Sequence, residues 1–248
     1  MAVTIKNNIE LQKMRLAGKL ARDTLNMIVP MIKPETPTIE LDRAADKFIR
    51  SRGGVPASLN YRGFPKNICV SINEEVLHGI PGIRRLKNGD IVSVDICVLL
   101  DGFNGDAART FICGTAPKEA ARLVRVTEEC FYEGLRYARA GLHLHQICKA
   151  VQDYAEGNGY SVVRDYFGHG IGRQMHEDPS VPCYKPPGRG LKLAKGMTLT
   201  IEPMICAGRY DVDTLRDGWT VVTKDKSLTA HYENTVAITD GEPEILTI

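Results

Sequence analysis

No apolar run in this 248-residue chain approaches the ~20 residues that span a bilayer. The opening stretch, MAVTIKNNIELQKMRL, carries charge from Lys6 onward and has no continuous apolar segment, which argues against a secretory signal. Charge of one sign is missing too. Lys and Arg number 32 against 30 Asp and Glu, a net charge of +2 spread along the chain, so there is no nucleic-acid footprint. The seven cysteines (Cys69, Cys97, Cys113, Cys130, Cys148, Cys183 and Cys206) are odd in number and nowhere form a C-x-x-C pair. That argues against a zinc ribbon or a disulfide framework and points to a reducing cytoplasm. Linkers and low-complexity segments are also lacking. What remains, 43% hydrophobic and 25% charged, is an ordinary globular composition, and residues 1–248 read as one domain.

Taken in order, Asn7-Asn8 caps a helix with Ile9, Met14, Ala17, Ala21, Leu25 and Ile28 at three- and four-residue steps. Pro34 to Thr38 breaks it, and a second helix carries Ile39, Leu41, Ala44, Ala45, Phe48 and Ile49 until Gly53-Gly54. Strand and loop follow to Pro81. Pro117 opens a third helix to about Ala138, and a fourth runs from about His143 to Glu156. The rest is strand and loop again.

Between these helix pairs lies Asn88–Phe111, NGDIVSVDICVLLDGFNGDAARTF. Asp101-Gly102 between two apolar runs is a strong hairpin signal. Pairing about that turn sets Asp95 opposite Ala108 and puts Asp106 diagonal to Asp95 on the same face. Diagonal neighbours lie roughly 7 Å apart, so the two carboxylates can meet at one point. Two such acids repel unless a cation or a shared proton holds them.

The order repeats. The helix-pair ends Arg52-Gly53 and Asn158-Gly159, and the breakers at Pro34 and Ala140, each recur 106 residues apart. Leu86–Asp95 and Leu193–Glu202 repeat one strand phrase, with an acid six residues after its glycine in each. An internal duplication accounts for this most simply, with halves at about 9–112 and 117–240. The class is α+β, with helix pairs packed on a curved antiparallel sheet in two pseudo-symmetric halves. Glu202 then matches Asp95. The counterpart of Asp106 is sought among Asp211, Asp213, Asp217 and Glu233, and Glu233 is favoured because it opens an apolar strand as Asp106 does.

Four carboxylates and one imidazole suit two divalent ions such as Co, Mn, Fe or Zn, held ~3.5–4 Å apart around a shared water. The imidazole comes from His78, His143, His145, His169, His176 or His231. His143 and His145 fall at a helix start and read as surface residues. His169 sits in Gly168-His169-Gly170-Ile171-Gly172, where glycines let the backbone approach a site.

LHGIPG at Leu77–Gly82, the DGFNGDAARTF hairpin, GHGIGRQMHEDP at Gly168–Pro179, TIEP at Thr200–Pro203 and HYENT at His231–Thr235 resemble the type I methionine aminopeptidases, in the family's order and over essentially the whole chain. The bacterial-type minimal form is the nearest match, since the chain has no room for the N-terminal domain of aminopeptidase P and prolidase. The type II insertion and the eukaryotic zinc-binding extension are not evident either. The resemblance implies the pita-bread fold and two divalent ions. Asp95 would bind one ion, Asp106 and Glu233 would bridge both, and His169 and Glu202 would complete the other shell. It further implies Glu202 as proton shuttle, His176 on the scissile peptide, His78 on the substrate backbone, and a methionine pocket of Tyr61, Phe64, Cys69 and Trp219. The activity implied is removal of N-terminal methionine, before a small second residue, from nascent polypeptides near the ribosome. The enzyme would be a cytoplasmic monomer that requires neither nucleic acid nor membrane.

Two departures stand out: Met175 where an aromatic is expected before His176, and His231 where Gln is usual before Tyr232-Glu233. Neither touches an expected ligand. Three other readings compete: a binding protein of the same fold without catalysis, a dipeptidase or Xaa-Pro peptidase, and a phosphatase-like dimetal hydrolase. The complete ligand set argues against the first, and chain length with the short GHGIGRQMHEDP segment against the second. The third would call for an Arg or Lys cluster beside the acids.

Overall fold

The computed structural model describes residues 3–248. Asn7 starts α1 (Asn8–Ile28): its side chain accepts from the Glu10 N–H, while the Glu10 carboxylate accepts from the Asn7 N–H. This reciprocal cap satisfies two donors the helix leaves open. A 3₁₀ turn, Val29–Met31, follows, and α2 (Thr38–Ser51) begins behind Pro37. The chain then forms β1 (Val55–Pro56), β2 (Cys69–Ile72), β3 (Glu75–Leu77), β4 (Ile91–Leu100) and β5 (Phe103–Ile112).

β4 and β5 make a long hairpin in the expected register, with Asp95 opposite Ala108 and Cys97 opposite Asp106. The other edge of β4 is shared in succession by β2 and β1. One core cluster joins Leu25 and Ile28 of α1 and Leu41 and Ile49 of α2 to Val92, Val94 and Ile96 of β4. The helix layer lies close. A Cβ added at Gly105 in β5 would stand 2.4 Å from the Gly18 backbone nitrogen of α1.

The second part opens with α3 (Lys118–Leu135) and α4 (Leu144–Gly157). α3 ends before the expected Ala138 because Tyr137 and Ala138 bond to carbonyls only three residues back, a tighter turn than the α-helix. Beyond lie β6 (Ser161–Val162), β7 (Gly168–Gly170), β8 (Glu177–Val181), β9 (Thr198–Ile201) and β10 (Met204–Cys206). β11 (Val212–Thr214), β12 (Val221–Thr223), β13 (Thr229–His231), β14 (Asn234–Ala237) and β15 (Glu244–Ile245) complete the order. The main sheet here runs β15-β14-β9-β7-β8, and smaller ones run β13-β10-β6 and β11-β12-β3. Phe131, Leu144 and Ile147 of the helices pack on Leu199, Ile201 and Val236 of the main sheet.

The two sheets meet along a seam between β5 and β14. The Glu233 N–H donates to Ala108 O at 2.9 Å, and Thr235 Oγ1 donates to Asp106 O at 2.9 Å. In the other direction the Asp106 N–H donates to Thr235 Oγ1 at 3.0 Å. Further out, Asn104 Nδ2 donates to Gly172 O at 3.1 Å and Arg173 O at 3.2 Å. Among the described residues no helix is long and apolar enough to cross a membrane.

Candidate metal centre

A cleft opens at the seam. Asp95, Asp106, His169, Glu202 and Glu233 line it, and so do His78, His176, Tyr61, Phe64, Cys69 and Trp219. Every residue that the resemblance assigned to the site therefore lines one space. His143 and His145 lie elsewhere: they are half-buried at the start of α4, their Nδ1 atoms 3.2 Å from Gly190 O and Gly188 O. Asp217, weighed against Glu233, instead accepts from the Trp219 and Thr220 N–H groups and holds the Trp219 loop.

The acids reach the cleft from four places. Asp95 and Asp106 come from facing strands of the hairpin, and Glu202 follows β9 directly. Glu233 precedes β14. Asp106, Glu202 and Glu233 are buried, at 6%, 7% and 2% exposure, and Asp95 is half-buried. His169 is carried on β7 between two glycines that have no room for a side chain. A Cβ would lie 2.5 Å from Thr200 O at Gly168 and 2.1 Å from Asp178 O at Gly170. Its Nε2 stands 4.0 Å from Asp106 Oδ2 and 3.8 Å from Glu202 Oε1.

Burial drives the electrostatics. It pushes the Asp106 carboxyl up to about 7, with the charge of Glu202 adding to it. Burial also raises Glu202 to about 7, outweighing the Thr200 hydroxyl that donates to its Oε1 at 2.6 Å. Asp95 is raised well above the carboxylate range by burial and by Asp106, and Glu233 by burial, Asp106, Glu202 and Asp95. His169 is held down to about 3 by burial first and by His176, so near neutral pH its ring is uncharged and offers a lone pair.

Buried acids gathered without a basic partner call for a cation. Asp106 Oδ1 is buried with no hydrogen-bond partner. One ligand atom each from Asp106, His169 and Glu233 lie within 4.8 Å of one another. The donor set, carboxylate oxygens with one imidazole nitrogen, is that of a borderline-hard divalent ion. The residues fit a divalent metal.

Beside the acids the cleft turns apolar. Phe64 and Cys69 are buried at 3% and 5% exposure, and Phe64 meets Trp219 edge-on at 5.2 Å between ring centroids. Met175, at 9%, also lines it. His176 stacks on Tyr61 with ring centroids 5.1 Å apart, and its Nδ1 lies 2.8 Å from the Tyr61 hydroxyl. The His78 backbone adopts φ +58°, the left-handed region that non-glycine residues seldom enter. Sequence reasoning passed over Thr200 and Cys97. Thr200 Oγ1 accepts from the His169 N–H at 2.9 Å while donating to Glu202, and its place two residues before that acid on one strand face was the available signal.

A cluster of buried acids and an imidazole beside an apolar pocket defines a metal-dependent hydrolase. The profile of metallopeptidase family M24 matches residues 12–240. A methionine aminopeptidase of Clostridium acetobutylicum is 54% identical over 247 residues, 99% of this chain and 99% of the relative. The crystal structure of methionine aminopeptidase from Rickettsia prowazekii superposes with a TM-score of 0.98 at 47% identity, covering 100% of both chains. A prolidase from Pyrococcus furiosus, at 21% identity and a TM-score of 0.78 over 98% of this chain and 65% of its own, shares the pita-bread fold alone. The chain belongs to metallopeptidase family M24 and, within it, to the methionine aminopeptidases.

Proposed function

We infer that this protein is a metallo-aminopeptidase that removes the N-terminal methionine of polypeptides whose second residue is small. The observation that carries the reading is the meeting, in one cleft, of the acid–imidazole cluster with the pocket of Tyr61, Phe64, Cys69 and Trp219. A thioether is soft and unbranched, and such an apolar, partly aromatic wall suits it.

We propose that Asp95, Asp106, His169, Glu202 and Glu233 would hold two divalent ions (Co, Mn, Fe or Zn). When bound, such ions supply Lewis-acid polarisation of the first peptide carbonyl and make water acidic enough to attack near neutral pH. The chain's own groups do the rest. Glu202, which lines the cleft beside His169, takes the proton of the attacking water and returns it to the leaving nitrogen. Its Thr200 partner fixes the direction in which that carboxylate points. His176, braced by Tyr61, donates to the oxygen of the scissile peptide as negative charge develops there. His78 binds the substrate backbone, and the free α-amino group lies beside Asp95.

Residues 1–248 act as one catalytic domain whose halves, about 9–112 and 117–240, arose by duplication. We place the enzyme in the cytoplasm as a monomer acting on nascent chains near the ribosome, without need of nucleic acid or membrane. Seven buried free cysteines are in keeping with a reducing compartment.

The test is hydrolysis of Met-Ala-Ser and Ala-Ala-Ser by chelated protein before and after addition of Co²⁺ or Mn²⁺. Metal-dependent release from the first peptide alone is expected. Cleavage of both keeps the metal site and removes the methionine pocket. No release with any metal removes the catalytic reading.

A further inference from the structure

The turn that delivers His176, from Gly172 to Met175, has no regular structure of its own. It is held by a segment from the far end of the chain. Lys6 Nζ lies 2.6 Å from Glu177 Oε2, with the two side chains only 5% and 8% exposed. Thr4 adds a hydroxyl donor to the same carboxylate. The other oxygen, Glu177 Oε1, accepts from the Gln174 N–H at 3.1 Å and so closes the turn on itself. The Lys6 side chain also fills the space over Gly172, where a Cβ would meet its Cε at 2.5 Å. Lys6 is itself anchored, since its N–H donates to Gly196 O at 2.8 Å.

His176 is the residue next to Glu177, and its own side chain is held only laterally, by the Tyr61 hydroxyl and by the His169 ring at 4.1 Å between centroids. The height of its imidazole in the cleft is therefore set by the backbone between Gln174 and Glu177. We propose that Lys6 is a positioning residue: its buried ammonium, acting through Glu177, fixes where His176 stands over the scissile peptide. The proposal rests on the reading above that His176 contacts the substrate. Its physical basis is the asymmetry of buried ion pairs. Removing one partner leaves a buried charge uncompensated, whereas removing both is far milder. Without Lys6, the Glu177 carboxylate gains by turning toward water, and His176 moves with it. Misplacement of a catalytic group by about 1 Å costs on the order of 100-fold in rate.

The test compares the full-length Mn²⁺-loaded parent with K6M, E177Q, K6M/E177Q and H176A. It measures kcat and KM on Met-Ala-Ser, Mn²⁺ affinity by calorimetry, and folding by circular dichroism. K6M is expected to lower kcat about 10- to 100-fold, with KM and Mn²⁺ affinity within about twofold. K6M/E177Q is expected to recover most of that loss, and unchanged circular dichroism and Mn²⁺ affinity in K6M separate the effect from a general loss of stability. A parent-like kcat in K6M alongside an impaired H176A overturns the proposal, as does a loss that persists undiminished in the double variant. If K6M does not fold, E177Q decides: a lowered kcat supports the proposal and a parent-like one overturns it. A parent-like H176A removes instead the assignment of His176 on which the proposal rests.

Discussion

His231 Nε2 stands 4.0 Å from Glu202 Oε2, buried and without a hydrogen-bond partner, so this departure does reach an expected ligand, contrary to the reading of the sequence. His169 Nε2 lies 3.8 Å from the other oxygen, so the carboxylate is flanked by imidazoles on both sides. A buried polar atom left unpaired is costly unless a bound state engages it. His231→Leu removes that atom at similar volume and is expected to leave Tm nearly unchanged while weakening Mn²⁺ binding about tenfold, as loss of an outer partner of a metal ligand does. His231→Gln keeps a donor and is expected to bind Mn²⁺ as the parent does. Equal affinity in all three proteins, measured by calorimetry, contradicts this.

Glu202 is expected to matter more to turnover than to substrate binding. Glu202→Gln keeps the shape and the Thr200 hydrogen bond but cannot carry the proton, so kcat is expected to fall about 100- to 10,000-fold with little change in KM. Steady-state kinetics at saturating Mn²⁺ check it, and a rise in KM at parent kcat goes against the assigned role.

Removing metal exposes the strain among the acids. In chelated protein Asp106 and Glu202 sit at about 7, and Asp95 and Glu233 well above their usual range. Above pH ~6.5 the unfolded chain has lost these protons and the folded chain still holds some, so stability falls as pH rises from about 6.5 to about 8. At lower pH the neutral His78, His169 and His231, held at about 4, about 3 and about 3 by burial, act in the opposite sense and offset the trend. The Tm of chelated protein is expected to drop between pH 6.5 and 8, and added Mn²⁺ to raise Tm more at pH 8. A Tm that stays flat or rises with pH contradicts the picture.

Gly105→Ala places a methyl 2.4 Å from the Gly18 nitrogen, and the contact is backbone on both sides, so neither element yields by a rotamer change. α1 must lift from β5, a loss of about 1–3 kcal/mol, read by urea unfolding. Unchanged stability would mean that the helix layer is looser than this packing implies.

Much of this was legible because it is local. The Asp101-Gly102 turn fixes the hairpin register, and register alone puts Asp95 and Asp106 on one face. Asn7 and Glu10 announce the start of α1 from three residues apart. The glycines around His169 announce a close backbone approach, although the carbonyls they approach, Thr200 O and Asp178 O, belong to other strands. The rest was hidden by distance along the chain. Nothing near Lys6 names Glu177 as its partner, and the same spacing rules that predict α3 to Ala138 do not register a last turn that tightens after Leu135. His231 was visible as one of six candidate imidazoles and as a departure from the usual Gln. That its Nε2 would stand unpaired beside Glu202 depends on the fold bringing β13 to the end of β9.

The seam between β5 and β14 has a consequence for how this enzyme can change. Asp106 and Glu233 are spaced by main-chain bonds, Glu233 N–H to Ala108 O and Ala108 N–H to Glu233 O, so the distance between their strands is a dimension of the backbone. Phe64, Cys69 and Trp219 belong to other segments and carry none of those bonds. Substrate preference can therefore drift by exchange of pocket side chains while the gauge that sets the chemistry stays fixed.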